Sequence, residues 1–213
     1  MGGRIRVLIA DDHQLFADAL RAFLEKTYEV VAAVHDGRSM IESAVKHSPD
    51  VVVVDIGMPL LNGLDAAKRI RKQFPTCHFV FLTMHQDPNL AAAVLELRPV
   101  GFVLKHSAGL ELVKAIEHVA NGKTYLPRQF RSVDWVEVGA RVKNGSKEMT
   151  SRQRDVLQLL AEGRSMKQAA FYLNLSEKTI EFHKQTIMQV FNLRNNSELV
   201  LFAVKQGLIS PEI

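Results

Sequence analysis

The sequence has few of the features that mark secreted or membrane-spanning proteins. Cys77 is its only cysteine, so no disulfide can form within the chain, which suits a reducing compartment. No apolar stretch approaches the roughly 18–20 residues that are needed to cross a bilayer. The N-terminus, MGGRIRVLIADD, has no signal-peptide pattern, because acidic residues interrupt its short apolar run. We therefore expect a cytoplasmic protein.

The composition predicts a globular protein whose charge is unevenly distributed. The 213 residues are 47% hydrophobic and 23% charged, which argues against disorder. Residues 1–122 contain 13 Lys/Arg and 14 Asp/Glu, a net charge of −1, whereas residues 123–213 contain 14 and 9, a net charge of +5. The net positive charge of residues 123–213 is consistent with binding to a polyanion, or with a solvated basic surface that has no such partner.

In residues 1–122, five short apolar runs alternate with longer amphipathic segments. The predicted strands are Arg4–Ala10, Tyr28–Val34, Val51–Asp55, His78–Thr83 and Gly101–Leu104. The predicted helices are His13–Lys26, Arg38–His47, Leu64–Gln73, Pro88–Leu97 and Ala108–Asn121. The strands are apolar throughout, as expected for a sheet that is covered on both faces. Five such units predict an α/β domain with a doubly wound, flavodoxin-like sheet of five parallel strands.

The chain changes character beyond residue 122. Residues 123–148 mix turn residues with charges and are predicted to form a linker, with one short ordered piece around Val133–Val138. Residues 149–213 contain helical patterns and no strands, and so predict an all-α domain. Its four helices are expected at about 151–162, 166–173, 177–191 and 196–206.

Five helix-terminal signals support these four helices. Thr150 and Ser165 each begin a capping-box pattern, and Ser176 is a further N-cap. Gly163 and Gly207 are placed to end two of the helices.

Polar residues follow the predicted strands at their carboxyl ends, where open parallel sheets bind ligands. These residues are Asp11, Asp12, Asp55, Thr83 and Lys105. Crowded carboxylates repel each other unless a cation lies among them, and oxygen ligands suit Mg²⁺. Taken singly, the two adjacent aspartates could merely cap the first helix, and Lys105 could be an ordinary surface residue. All five together predict a magnesium site.

The chemistry that fits these side chains is attack by a carboxylate on a phosphoryl group. Asp55 would be the nucleophile. Mg²⁺ and Lys105 would neutralise the phosphoryl oxygens, and Thr83 would donate a hydrogen bond to one of them. Two rival α/β sites fit less well. A flavin site needs a phosphate-binding loop after the first strand, where Asp11 and Asp12 would repel it. A haloacid-dehalogenase-type phosphatase has a second acidic residue two positions after the strand-end aspartate, where this sequence has Gly57.

The segments VLIADDHQLFADALRAFL, VVVVDIGMPLLNGLDAAKRIR, FLTMH and GFVLK resemble the receiver domain of response regulators over residues 4–121. The resemblance implies that Asp55 is the phosphoacceptor and a histidine kinase the phosphodonor. It implies Asp12 as a direct Mg²⁺ ligand, Asp11 as a ligand through water, and Gly57 as the donor of a backbone carbonyl. Such a domain is not an enzyme, although it accepts a phosphoryl group and can dephosphorylate itself.

The same resemblance assigns Thr83 and Phe102 to a switch pair, in which the aromatic ring follows the hydroxyl inward on phosphorylation. Without the family resemblance, Phe102 would equally well be read as a residue that only packs in the core. The segment ELRPVGF departs from the usual pattern, because Pro99 is expected to shorten or bend the end of the fourth helix.

In the second part, SMKQAAFYLNLSEKTIEFHKQTIMQVFNL predicts two helices joined by a turn at Asn174-Leu175. Ile180, Ile187, Val190 and Phe191 would form the apolar face of the second helix. Its other face suits the major groove of DNA, although a helical bundle for protein contacts has a similar pattern. The predicted DNA contacts are Lys178, Thr179, Glu181, Phe182, His183, Lys184 and Gln185. Gln185 could recognise a base edge and Phe182 a thymine methyl group.

The segment from Met149 to Ile209 resembles the four-helix LuxR-type DNA-binding domain, and with the receiver it places the chain in the NarL/FixJ family. The family implies that the last helix mediates homodimerisation on DNA, through Leu199, Phe202, Ala203 and Gln206. Some residues of Leu199–Val204 must also serve the domain's own core. Relatives usually carry lysine where this chain has Glu181, so DNA affinity is expected to be altered.

The sequence therefore predicts a transcription factor in which phosphorylation controls dimerisation and binding to promoter DNA, with RNA polymerase as a further partner. The alternative is a signalling or protein-interaction module with weak or altered DNA binding. Salt dependence of DNA binding distinguishes the two.

Overall fold

The computed structural model describes residues 3–84, 88–130 and 149–209, and it divides into a sheet-containing part and a helical part. The strands are Arg6–Ala10 (β1), Glu29–Val34 (β2), Val51–Asp55 (β3), His78–Thr83 (β4) and Val100–Leu104 (β5). The helices of the first part are Gln14–Leu24 (α1), Gly37–His47 (α2), Gly63–Gln73 (α3), Pro88–Leu95 (α4) and Ala108–Ala120 (α5). Short 3₁₀ helices cover Lys105–Ser107 and Arg128–Phe130. The helices of the second part are Ser151–Ala161 (α6), Met166–Leu173 (α7), Glu177–Val190 (α8) and Asn196–Lys205 (α9).

The five strands form one parallel sheet in the order β2-β1-β3-β4-β5. This confirms the predicted doubly wound fold, and the predicted ends of strands and helices lie within about two residues of the observed ones. The expectation for the fourth helix is also confirmed, since α4 ends at Leu95, ahead of Pro99. None of the described helices combines the length and hydropathy that crossing a bilayer requires.

The central strand β3 is buried on both of its faces. Val52 and Val54 belong to the core beneath α2, α3 and α4. Val51 and Val53 belong to the opposite core, beneath α1 and α5. Successive side chains of a strand point to opposite faces, so a strand between two cores needs an uninterrupted apolar run. The strand leaves the core at Asp55, which therefore lies at the carboxyl edge of the sheet.

The first residues of the predicted linker lie against the edge strand β5. The backbone amide of Tyr125 donates to the carbonyl of Val100, and that of Phe102 donates to the carbonyl of Tyr125, both at 2.9 Å. The buried ring of Phe130 packs edge-on against Phe102, with 5.3 Å between ring centroids. The short ordered piece predicted around Val133–Val138 lies outside the described residues.

The helical part begins and ends its helices at the predicted signals. Thr150 and Ser165 both form complete capping boxes, and the Ser176 hydroxyl accepts from the Thr179 amide. Gly163 and Gly207 have positive φ values of 78° and 64°, the left-handed conformation that glycine adopts without a steric cost. These local signals therefore confirm the predicted helix boundaries.

Candidate functional site

The five polar residues predicted at the edge of the sheet come together there. Asp11 follows β1, Asp55 ends β3, Thr83 ends β4 and Lys105 follows β5. Because all the strands are parallel, their carboxyl ends meet at one edge. Asp11, Asp55 and Thr83 are buried, whereas Asp12 is exposed at the rim.

Lys105 is the cation at the centre of this edge. Its Nζ lies 2.8 Å from Oδ2 of Asp55 and 2.9 Å from Oδ2 of Asp11. The same Nζ lies 5.1 Å from the centroid of the Phe16 ring. The other Asp11 oxygen, Oδ1, accepts from the backbone amide of His13 at 3.0 Å. The side chain of Lys105 therefore ties together two carboxylates from different strands.

The charges of this site are unbalanced towards the negative side. Burial raises the pKa of Asp11, and the nearby Asp55 carboxylate raises it further. The same two causes raise the pKa of Asp12. Burial alone would lower the pKa of Lys105, but the Asp55 and Asp11 carboxylates raise it overall. One ammonium group thus does not neutralise the three carboxylates, and a further cation would be stabilised among them.

The geometry of the carboxylates fits a divalent ion. Ligand atoms of Asp11, Asp12, His13 and Asp55 all lie within 4.8 Å of one another. Three carboxylates are the hard oxygen ligands that Mg²⁺ prefers. Gly57, expected to contribute its carbonyl, lies beside them, and its amide approaches Oδ1 of Asp55 at 3.4 Å.

His13 is a member of this cluster that sequence reasoning missed. Its Nδ1 lies 2.9 Å from Oδ1 of Asp12 and 3.4 Å from Oδ1 of Asp11. Its position directly after the two adjacent aspartates was the available signal.

Thr83 and Phe102, the predicted switch pair, lie on one face of the sheet. Phe102 is fully buried in the core beneath α2, α3 and α4. Thr83 is buried at the end of β4, two residues after Phe81, which belongs to the same core. Alternation along the strand places Thr83 on that face too. The ring of Phe102 already points inward, against Phe130.

Helix α8 carries the predicted DNA contacts, and one side of the helix is open to solvent. Lys178, Glu181, Phe182 and Gln185 are exposed, with 64% of Phe182 accessible. Thr179, His183 and Lys184 are half-buried. Gln185 Nε2 donates a hydrogen bond to Oε1 of the Glu181 carboxylate at 3.3 Å, so these two exposed side chains lie side by side on the open face of the helix.

The apolar face predicted for α8 holds only in part. Ile180 and Ile187 are fully buried, and Phe191, just after the helix, packs against Phe202 with 4.5 Å between ring centroids. Val190, predicted on the same apolar face, lies in the last turn of the helix and is 36% exposed, so it does not share the burial of Ile180 and Ile187.

Two of the four residues predicted for dimerisation are not accessible. Leu199 and Ala203 are buried in a core that α9 shares with α6 and α8, so they serve the domain itself. This corrects the prediction for these two side chains. Phe202 packs partly against the same core, and Gln206 is half-buried. The exposed apolar side chain of α9 is instead Leu201, which is 60% accessible.

A second set of polar residues, on α6, also escaped sequence reasoning. Asp155 and Gln158 are buried, and Glu162 is half-buried just after the helix. Their partners lie in the first part of the chain, about a hundred residues earlier. The rule that parallel strands share a carboxyl edge, which predicted the pocket, gives no information about contacts between the sheet-containing part and the helical part.

Two family models match the chain. The response regulator receiver domain matches residues 7–117, and the luxR family of bacterial regulatory proteins matches residues 147–203. The chain is 34% identical over 209 residues to the transcriptional regulatory protein MctR of Rhizobium johnstonii, which covers 97% of this chain and 96% of MctR. It is 30% identical over 225 residues to the transcriptional regulatory protein DegU of Brevibacillus brevis, covering 97% and 95%.

The chain also resembles solved structures of the response regulator RcsB. One from Salmonella typhimurium is 28% identical with a TM-score of 0.64, covering 96% of this chain and 98% of the other. An RcsB–DNA complex is 29% identical with a TM-score of 0.57, covering 95% and 100%. A receiver domain joined to a LuxR-type helix-turn-helix domain is the arrangement of a transcription-regulating response regulator. The chain belongs to the NarL/FixJ family of these regulators.

Proposed function

We propose that Asp55 is the phosphoacceptor of this response regulator and a histidine kinase its phosphodonor. The single observation that carries this is the buried Asp55 carboxylate, which Lys105 holds at 2.8 Å beside two further aspartates. A carboxylate oxygen of Asp55 would attack phosphorus. The P–N bond of the donor phosphohistidine would break, and its electron pair would return to the ring nitrogen. Thr83 and Lys105 would then hold the phosphoryl oxygens.

Mg²⁺ is the metal that this site would take. Asp11, Asp12, Asp55 and the Gly57 carbonyl would hold it, with His13 beside them. The raised pKa values of Asp11 and Asp12 support a bound cation, which would stabilise their ionised forms. When bound, the metal supplies positive charge to the phosphoryl oxygens. Lys105 holds Asp55 in position, and water reaching this edge would allow slow self-dephosphorylation.

The phosphorylated regulator would act by binding promoter DNA as a homodimer, through α8. RcsB has been solved as dimers bound to DNA, which supports this arrangement by similarity. The exposed side of α8 would enter the major groove, with Lys178, Thr179, His183 and Lys184 near phosphates. Gln185, Phe182 and Glu181 would meet base edges. Helix α9 would mediate dimerisation, and RNA polymerase would be a further partner.

The proposed domain division is a receiver at residues 1–122, a linker at 123–148 and a DNA-binding domain at 149–213. The pairing of Tyr125 with β5 suggests that the first linker residues remain attached to the receiver.

Phosphorylation of Asp55 is tested by labelling the protein with a radioactive acyl phosphate in the presence of Mg²⁺. Wild-type protein is expected to gain one acid-stable, base-labile label per chain, and Asp55→Asn to gain none. Asp50→Asn, which changes an exposed aspartate remote from the sheet edge, is the matched control and should label normally. Label that persists in Asp55→Asn would exclude Asp55 as the acceptor, and catalytic turnover of phosphomonoesters would favour a phosphatase instead.

A further inference from the structure

A cavity with a basic lining lies between α3 and the start of α6. Its volume is about 340 Å³, which is within the range of small-molecule sites. It is lined by Asp65, Lys68, Arg69, Arg71, Lys72, Leu97 and Ser151. Four of these residues are basic, and all four belong to α3. None of the lining residues belongs to the acidic site at the sheet edge or to the exposed side of α8, so this cavity has no part in the function proposed above.

The acidic residue of the lining does not oppose an anion, because its charge is already offset. Asp65 Oδ2 accepts from Arg154 Nε of α6 at 2.8 Å. In the same way, Arg69 Nη2 lies 2.5 Å from Oδ1 of Asp155, a buried carboxylate of α6. Each of these ion pairs is neutral as a whole. The charge of the cavity is therefore decided by its other basic residues.

Two cations of the lining have no anionic partner. Lys68 Nζ lies 3.4 Å from Glu96 Oε2, in a half-exposed ion pair of the weak kind. Arg71 and Lys72, in the last turn of α3, form no ion pair with any carboxylate that the structure describes. Their positions stabilise the carboxyl end of the helix, but this leaves both positive charges available to an anion from solution.

Arg71 distinguishes this cavity from an ordinary basic surface. Its Nε is buried and has no hydrogen-bond partner among the described residues. Its Nη2 donates one long hydrogen bond, of 3.4 Å, to the Pro99 carbonyl, and its guanidinium carbon lies 5.3 Å from the centroid of the Phe79 ring. Burial lowers the pKa of Arg71, because its surroundings compensate the charge poorly. A guanidinium that is held against an aromatic ring and is incompletely hydrogen-bonded suits the oxygens of a phosphate group.

The start of α6 adds hydrogen-bond donors from a second helix. Ser151 is the first residue of α6 and lines the cavity. Thr150 caps the helix by accepting from the amide of Gln153. The amides of Ser151 and Arg152 come before that bond and have no acceptor within the helix. These amides and the positive end of the helix dipole favour a negatively charged group.

We propose that this cavity binds a small phosphorylated molecule of the size of a nucleotide, whose phosphate groups contact Arg71 and Lys72. A phosphate monoester carries a charge of about −1.5 to −2 at pH 7, which matches the two unpaired cations. The cavity has room for an organic group beside the phosphates, and Leu97 offers that group an apolar contact. Binding there does not depend on phosphorylation of Asp55, which lies outside the cavity.

Isothermal titration calorimetry of the full-length protein tests the proposal with adenosine diphosphate (ADP), pyrophosphate and inorganic phosphate. The titrations contain EDTA, so that no divalent ion bridges the ligand to the acidic site, and about 0.15 M salt, which screens long-range attraction. We expect one ADP per chain, bound at least about tenfold more tightly than inorganic phosphate, with pyrophosphate between them. Absence of ADP binding, or an affinity no higher than that for inorganic phosphate, would overturn the proposal.

Substitutions in α3 locate the bound ligand. Arg71→Gln and Lys72→Gln should each weaken ADP binding at least about tenfold, because a hydrogen bond to a charged group is lost. Arg21→Gln removes the same charge from an exposed position of α1 and should leave the affinity unchanged. Equal weakening in this matched control would mean that ADP responds only to net charge, and would overturn the site. Lys72 is exposed, so its variant keeps the test valid if Arg71→Gln, which loses the contact with Phe79, fails to fold.

Two further comparisons separate the cavity from the other parts of the protein that attract phosphate. Asp55→Asn should bind ADP as tightly as wild type does, and a loss of binding there would assign the ligand to the sheet edge instead. Lys72→Gln should weaken the binding of duplex DNA no more than Arg21→Gln does. A larger loss of DNA affinity in Lys72→Gln would assign these cations to the DNA backbone and contradict a small-molecule site.

Discussion

Among single residues, Lys105 and Asp55 show how much of this site follows from position. Asp55 ends β3 and Lys105 directly follows β5. The parallel pairing of these strands through β4 brings Lys105 Nζ to 2.8 Å from Asp55 Oδ2. The sequence therefore predicted that these residues lie together. It missed His13, which lies between the two adjacent aspartates and the start of α1 at Gln14 and joins their cluster in the structure.

Cys77 offers a residue-scale test that concerns the core. Burial raises the pKa of its thiol from 9.0 to about 12, so the folded state stabilises the protonated form. Its contribution to stability is present below pH 9 and is lost as the pH rises towards 12, at about 1.4 kcal/mol per pH unit. Alkylation at pH 8 should be far slower in native than in urea-unfolded protein. Rapid alkylation of the native protein would contradict the burial, and Cys77→Ala should flatten the alkaline loss of unfolding free energy.

Replacement of Glu181 by a basic residue should raise the affinity of the protein for promoter DNA. Glu181 lies exposed on α8, and its charge opposes the DNA backbone. Glu181→Lys is expected to raise promoter affinity by about tenfold at low salt, as measured by fluorescence anisotropy. Glu42→Lys makes the same charge change at an exposed position of α2 and should have a smaller effect. Equal effects would show that net charge, rather than contact by α8, is responsible.

Among the structural elements, helix ends were predicted well and surface assignments less well. Capping residues act within one turn, so Thr150, Ser165 and Ser176 determine their helix starts locally. Which face of a helix is buried depends on its neighbours. Leu199 and Ala203 were predicted to form a dimer interface, yet they pack against Leu157 of α6 and Ile187 of α8 within the same domain.

The segment at residues 125–130 lies along the edge strand β5, beside the predicted switch residue Phe102. Phe130 packs edge-on against Phe102. Phe130→Leu should lower the free energy of unfolding by about 1 kcal/mol, because the aromatic pair is lost while an apolar side chain remains. Urea denaturation measures this. The same change at the partly exposed Phe23 should cost less, and equal losses would contradict a specific pairing.

For the whole molecule, the uneven charge has a measurable consequence. The positive charge lies in residues 123–213, which include α8. The logarithm of promoter affinity should fall linearly with the logarithm of salt concentration, with a slope of about −0.9 for each phosphate contacted. Titration of fluorescent promoter DNA at several salt concentrations measures the slope, and scrambled DNA is the control. A flat response would favour the protein-interaction alternative.

The sequence by itself determined the order of strands and helices, the two-faced burial of β3 and the meeting of Asp11, Asp55 and Lys105. These follow from local periodicity, from capping and from the rule that parallel strands share a carboxyl edge. Only the tertiary structure decided that Gln158 and Glu162 reach across to the loop after Asp55. Such contacts depend on how the two parts of the chain pack against each other, and neither strand periodicity nor helix capping carries information about that packing.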